Sequence, residues 1–164
     1  MTVKAKAREV KVEENLHYVK WTGQDEYVLA NKGITNWEQA LNANTEDGTQ
    51  YIGESTAQGN ASSYAPSVSY EGNAYPDDAF NLWVYQQGKS QIIGATFEEV
   101  EVETWNEDTS GVYHAYHRTY EVQPDNPGSG EGGGKLGMSG TFAQQGAQEE
   151  GTFNISTKTF TKPE

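Results

Sequence analysis

The chain contains no cysteine among its 164 residues, which excludes disulfides, thiolate metal sites and thiol nucleophiles together. Apolar residues make up only 34%, and no apolar run approaches the roughly 20 residues that a membrane-spanning helix requires. The start, Met1-Thr-Val-Lys-Ala-Lys6, is polar and lacks the apolar stretch of a secretory leader. A soluble protein made in the cytoplasm, without a membrane partner, is the expectation. Bases are scarce as well, with 11 lysines and arginines against 24 acids and a net charge of −13. Without cross-links, stability has to come from packing or from assembly.

Aromatic residues, by contrast, reach 12%, and Trp, Tyr, Phe, Val and Thr favour strands over helices. The length suits one domain with extensions and suffices for a core, so a mainly β fold with long polar loops is expected. The charge is uneven: residues 1–20 hold five bases (Lys4, Lys6, Arg8, Lys11, Lys20) and three acids (Glu9, Glu13, Glu14), which leaves this stretch at +2 and the remainder at −15. A basic arm over residues 1–15 on an acidic body favours docking onto a neighbouring copy of that body. A merely solvated N-terminus is the alternative.

Along residues 16–164, Leu16 to Leu29 reads as a strand region broken at Thr22-Gly23-Gln24-Asp25, and Ile34 to Leu41 as another. Residues 42–63 are polar and small, with only Tyr51 and Ile52 as apolar anchors, and a loop this long is usually functional or mobile. Pro76-Asp77-Asp78 opens a helix over about 77–87, with Phe80, Trp83 and Val84 at helical spacing and Gly88 placed to end it. Ser90–Trp105 and Val112–Val122 read as a strand pair in which Val100 and Val102 share the core face while Glu99, Glu101 and Glu103 share the other. Residues 124–134 read as a flexible excursion. The chain then closes on a hairpin over residues 135–160, in which Gly-Thr-Phe occurs twice (Gly140-Thr141-Phe142 and Gly151-Thr152-Phe153) and Leu136, Met138, Phe142, Phe153 and Ile155 form one apolar face.

Catalytic patterns are scarce. His114 and His117, three apart on a strand, point to opposite faces and cannot chelate one metal together. The Gly-rich stretch at 128–134 precedes a strand rather than joining a strand to a helix, so it is no phosphate loop. A glycosidase needs one carboxyl in an apolar pocket, whereas the Glu99, Glu101, Glu103 ladder reads as a solvated face. No enzyme, no cofactor and no metal are expected.

The order of the pieces carries a resemblance: a long polar loop, Tyr64-Ala-Pro-Ser-Val-Ser-Tyr-Glu-Gly72, Tyr75-Pro-Asp-Asp-Ala-Phe80 opening a helix, a long strand pair, and the Gly-Thr-Phe ending. Over residues 30–160 this resembles the major tail proteins, or tail tube proteins, of long-tailed bacteriophages with non-contractile tails. The resemblance implies a β-sandwich or barrel-like core with one flanking helix, assembled as stacked hexameric rings that form a conduit for DNA. It implies contacts between rings through the arm (Lys4, Lys6, Arg8, Lys11) and the long loop (Tyr51, Ile52), while the apolar faces of the helix and strands place Phe80, Trp83, Val84, Val100, Val102, Met138, Phe142, Phe153 and Ile155 in the subunit core. Glu99, Glu101 and Glu103 are then expected to line the lumen, because a conduit must not hold the DNA that passes it. Expected partners are further copies of the chain, the tape-measure protein and the tail-end proteins. The protein would be synthesised in the host cytoplasm and reside in the virion, with no additional C-terminal domain. The alternative is a carbohydrate-binding module that uses the tryptophans as stacking platforms.

Overall fold

Alternating burial along most of the chain produces eleven strands and one helix in a computed structural model, which describes residues 8–164. After a 3-10 turn at Val12–Glu14 come β1 (Asn15–Trp21), β2 (Val28–Leu29), β3 (Ile34–Ala40), β4 (Ala43–Glu46), β5 (Asn60–Tyr64) and β6 (Ser67–Asn73). The helix α1 (Ala79–Lys89) follows, then β7 (Thr96–Thr109), β8 (Val112–Ser129), β9 (Gly137–Gln144), β10 (Glu149–Asn154) and β11 (Thr159–Thr161). Nine strands form one antiparallel sheet in the order β2-β1-β7-β8-β9-β6-β3, with β10 paired to β8 and β11 to β10. The sheet curls until Trp37 on β3 stacks on His17 of β1, ring centroids 4.4 Å apart. The fold is thus mainly β and barrel-like, with one flanking helix.

The closing hairpin does not form. Strands β9 and β10 both pair with β8, β9 along Tyr120–Ser129 and β10 along Val112–His117. Because β7 occupies the other edge of β8, β9 and β10 lie end to end along one edge, separated by residues 145–148, where Gly146 has φ +79°. Phe142 sits opposite Val122 and Phe153 opposite Tyr113. Val122 and Tyr113 are an odd number of residues apart, so the two phenylalanines point to opposite faces.

Two cores result, back to back across the sheet. Phe142 and Met138 join Phe80, Phe97, Tyr120 and Val122 under the helix. Phe153 joins Val100, Val102, Tyr18, Tyr27 and Ala115 on the other side, with Ile155 and Phe160 packed at the margin. The expected single apolar face is therefore split, and α1 covers Phe97 rather than Val100 and Val102. Trp83 is also marginal and stacks on Trp21, while Leu136 is exposed.

The repeated glycines have a steric cause. A Cβ on Gly140 would lie 2.6 Å from the Gln123 carbonyl oxygen, and one on Gly151 would lie 2.7 Å from the Phe160 ring. Phe160 covers Gly151 as an aromatic neighbour fills the gap left by a strand glycine. It reaches that place because the turn after Ile155 sends β11 back along β10.

Local chemistry explains the helix. The Asp78 carboxylate caps it by accepting from Asn81 N at 2.9 Å, and its other oxygen accepts from Asn31 N and Lys32 N at 3.2 and 3.0 Å, tying the β2–β3 connection to the helix start. Gly88 does not end the helix. It lies inside it, buried, where a Cβ would meet Pro127 and Pro124 at 3.0 and 3.2 Å. The segment expected as a flexible excursion from residue 124 is strand as far as Ser129, held by β9 through two register shifts. The long loop likewise contains β4 and β5, a kinked continuation of the β3–β6 hairpin. The kink falls at Asn42, φ +49°, whose side chain donates to Ala65 O at 3.0 Å.

Phe142→Ala is expected to cost about 3–5 kcal/mol in denaturant unfolding, since it removes a fully buried ring from the larger core. Ile155→Ala, at the margin of the smaller core, should cost clearly less.

Candidate assembly surfaces

The register of the central strands decides what the glutamate ladder is. On the helix-side face, Phe97, Glu99 and Glu101 of β7 lie beside Tyr120, Arg118 and Tyr116 of β8, with Glu103 Oε2 3.4 Å from His114 Nδ1, and Phe97, Glu99, Glu101 and Glu103 lie beside Trp21, Val19, His17 and Asn15 of β1. The face runs from apolar at Phe97 to polar at Glu103, and Glu99 stands at the boundary with 0% exposure. Its Oε2 accepts from Arg118 Nη1 at 3.2 Å, and its Oε1 lies 2.7 Å from His17 Nδ1. Arg118 Nη1 also donates to Glu101 at 2.6 Å, and Arg118 Nε donates to Gln148 at 2.9 Å. Asn15 donates to the second Glu101 oxygen at 2.9 Å and accepts from Trp105 Nε1 at 2.8 Å.

The ladder is therefore not a solvated face. Glu99 is buried within the chain and cannot line a channel, while the side chains of Glu101 and Glu103 keep only 16% and 12% exposure. Sequence reading missed Arg118 and His17, the partners that make burial of Glu99 possible, because they come from other strands. A usable signal was present: Arg118 is the one base in Val112–Val122, on the same parity as Tyr120 and Val122.

Burial alone would lower the Arg118 pKa, but Glu99, Tyr120 and Glu101 outweigh it and hold the guanidinium above its ordinary value. Burial, then the Glu99 charge, pushes the Tyr120 hydroxyl well above the usual phenol range, and that hydroxyl has no hydrogen-bond partner among the described residues. The tryptophans occupy separate places: Trp21 stacks on Trp83, Trp37 on His17, and Trp105 is exposed near Asn15. They build no shared stacking platform.

The arm enters the described structure at Arg8, and Lys4 and Lys6 lie outside the described residues. Arg8 grips Glu14 with two bonds of 2.6 and 2.8 Å, and Glu14 Oε2 accepts from Lys11 N at 2.7 Å. Thr104 donates to Glu14 O at 2.7 Å, fixing this turn to β7. Val10, Lys11 and Val12 remain exposed. At the far end of the β4–β5 hairpin Tyr51 and Ile52 are exposed, Ile52 fully, and every residue of β4 and β5 faces solvent.

No protein-family model and no curated protein matches the chain. Solved structures do resemble it. One is the tail of an empty gene transfer agent particle, determined with helical refinement in C6 symmetry, with a TM-score of 0.58 and 15% identity over 86% of this chain and 98% of that one. Another is the virion of a native gene transfer agent particle, with a TM-score of 0.56 and 12% identity over 87% of this chain and 98% of that one. At these identities the likeness is one of fold, shared with chains of gene transfer agent particles.

Arg118→Met should cost about 3–5 kcal/mol in equilibrium unfolding, because it strands a buried carboxylate, and adding Glu99→Leu should recover much of the loss. A double variant as unstable as Arg118→Met alone would show that packing, not charge, sets the cost. At the arm root, the side-chain bond from Arg8, followed by the Lys11 amide, lowers the Glu14 pKa from 4.5 to about 2. A lowered carboxyl pKa makes the contact complete above the ordinary value and lost as pH falls through the lowered one. The Lys11 amide NMR signal should therefore titrate near pH 2, and Arg8→Ala should move its midpoint up towards 4.5.

Proposed function

We propose that the chain is the subunit of a phage-like tail tube, assembling into stacked hexameric rings around a DNA conduit and residing in the virion. The observation that carries this reading is the fold likeness, which spans nearly the whole of a chain from a C6-symmetric tail. The exposed strand edges support it. Among the described residues, strand β3 has one unpaired edge and β2 covers only Tyr18 and Val19 of β1, so backbone groups are left that pairing with a neighbour would satisfy. The apolar tip at Tyr51–Ile52 and the basic arm through Lys4, Lys6, Arg8 and Lys11 supply contacts between rings.

The conduit role draws on charge. A body at −15 outside its first 20 residues repels phosphate instead of releasing counterions on binding it. Of the glutamate ladder only Glu101 and Glu103 keep some exposure, and they join Glu107 and Asp108, exposed at the end of β7, as candidates for the lumen wall. The role is structural and involves no catalytic step. The tape-measure and tail-end proteins are the partners it calls for, and synthesis in the host cytoplasm precedes assembly.

Negative-stain microscopy of concentrated pure protein tests the reading. Rings or hollow tubes are expected, and a sample that stays monomeric at every concentration overturns it.

A further inference from the structure

We propose that the groove between α1 and the last third of β8 receives the basic N-terminal arm of a second copy. The proposal rests on the tail-subunit reading and names a contact between its rings. The groove encloses about 500 Å³. Its apolar walls are Ile92 and Ile93 from the loop after α1 and Pro124 and Pro127 from β8, and both of its ionisable lining groups, Glu121 and Asp125, are acids. Ile93 is 95% exposed, a large apolar side chain without cover from the described residues. The C-terminal turn of α1 borders the same space through Gln87 and Gly88, and the carbonyl end of a helix adds a partial negative charge that favours cations.

The arm carries the complementary pattern. Lys4, Lys6 and Arg8 alternate with Val3, Ala5 and Ala7, so an extended segment presents cations on one side and small apolar groups on the other. That matches a channel with acids and apolar walls. The Arg8–Glu14 pair is exposed on the Arg8 side, and such pairs are weak enough to exchange partners.

The root of the arm and the groove lie apart on one copy. The arm leaves the sheet where Asn15 pairs with Glu103, whereas the groove begins where Thr96 pairs with Glu121. These are opposite ends of one stretch of β7, roughly 23 Å apart at the rise of a strand. A donor at one end and an acceptor at the other make a heterologous contact, which repeats as an open stack instead of closing on itself. Six such contacts per ring would act together, so each can be individually weak.

Charge reversal in the full-length chain tests the assignment. E121K/D125K and, separately, K4E/K6E should each abolish sedimentable tubes while rings persist in the microscope, and the four changes combined should restore them. Circular dichroism of E121K/D125K should match the parent, so that loss of fold is not mistaken for loss of docking. A second measurement uses the absence of cysteine: chains carrying A5C and I93C, treated with a short bismaleimide, should give a ladder of linked copies on a denaturing gel. Tubes that form normally in the reversed groove, loss without rescue, or thiol links confined within single chains overturn the proposal and leave the tail-subunit reading standing. A parent chain that never assembles overturns both.

Discussion

Strand β8 is the constraint on which the sheet depends. It runs eighteen residues, and its two edges are paired along most of that length, by β7 on one side and by β9 followed by β10 on the other. A single strand that templates three others must carry an apolar pattern serving two faces at once, and β8 does. Ala115 with Tyr113 serves one core, and Tyr120 with Val122 serves the other. Across residues 145–148 the register steps by two, so side-chain parity is kept. Phe153, eleven residues after Phe142, therefore faces the other way and centres the second core.

Arg118 stands on β8 between those two apolar stretches, and its role follows from that position. On the helix side the face changes from phenylalanine to carboxylate within two residues of β7, and a carboxylate at that boundary would be costly without a partner. The guanidinium answers two carboxylates and one amide, so the charges of Glu99 and Glu101 become part of the fold. Such a group contributes little net stability compared with an apolar substitute, but a one-residue slip of β7 against β8 would turn both carboxylates away from Arg118. Trp37 then closes the barrel by stacking on the imidazole that bonds Glu99.

What the sequence discloses divides along the same lines. Local signals were readable: the mainly β class, the helix opened by Pro76-Asp77-Asp78 and the strand nature of Leu16–Trp21 all follow from neighbours in the chain. The errors are non-local. The two Gly-Thr-Phe copies suggested a hairpin because a repeat across a polar turn looks like two strands facing each other, and nothing local reveals that both lean on β8. Glu99 read as solvated because its partners lie 19 and 82 residues away in sequence. Gly88 read as a helix end, where glycine is common, although the crowding that requires it comes from Pro124 and Pro127. Prolines 124 and 127 likewise suggested a loop, yet β8 tolerates them where its ladder is irregular.

The parts of the molecule that contribute least to its own folding are those through which it would meet another copy. A two-stranded sheet with every residue exposed, as in β4 and β5, is marginal by itself, and the kink at Asn42 carries it away from the cores that could steady it. Among the described residues the β2 edge is two residues long, β3 is paired on one side only, and Ile52 and Ile93 are left uncovered. A monomer selected for life in solution would have little reason to keep these features, since each is a route to unwanted association. In a subunit they are economical. In the proposed assembly the edges and tips left open in one copy would be covered by the next, and the protein's low apolar content and lack of cross-links suit a stability completed that way.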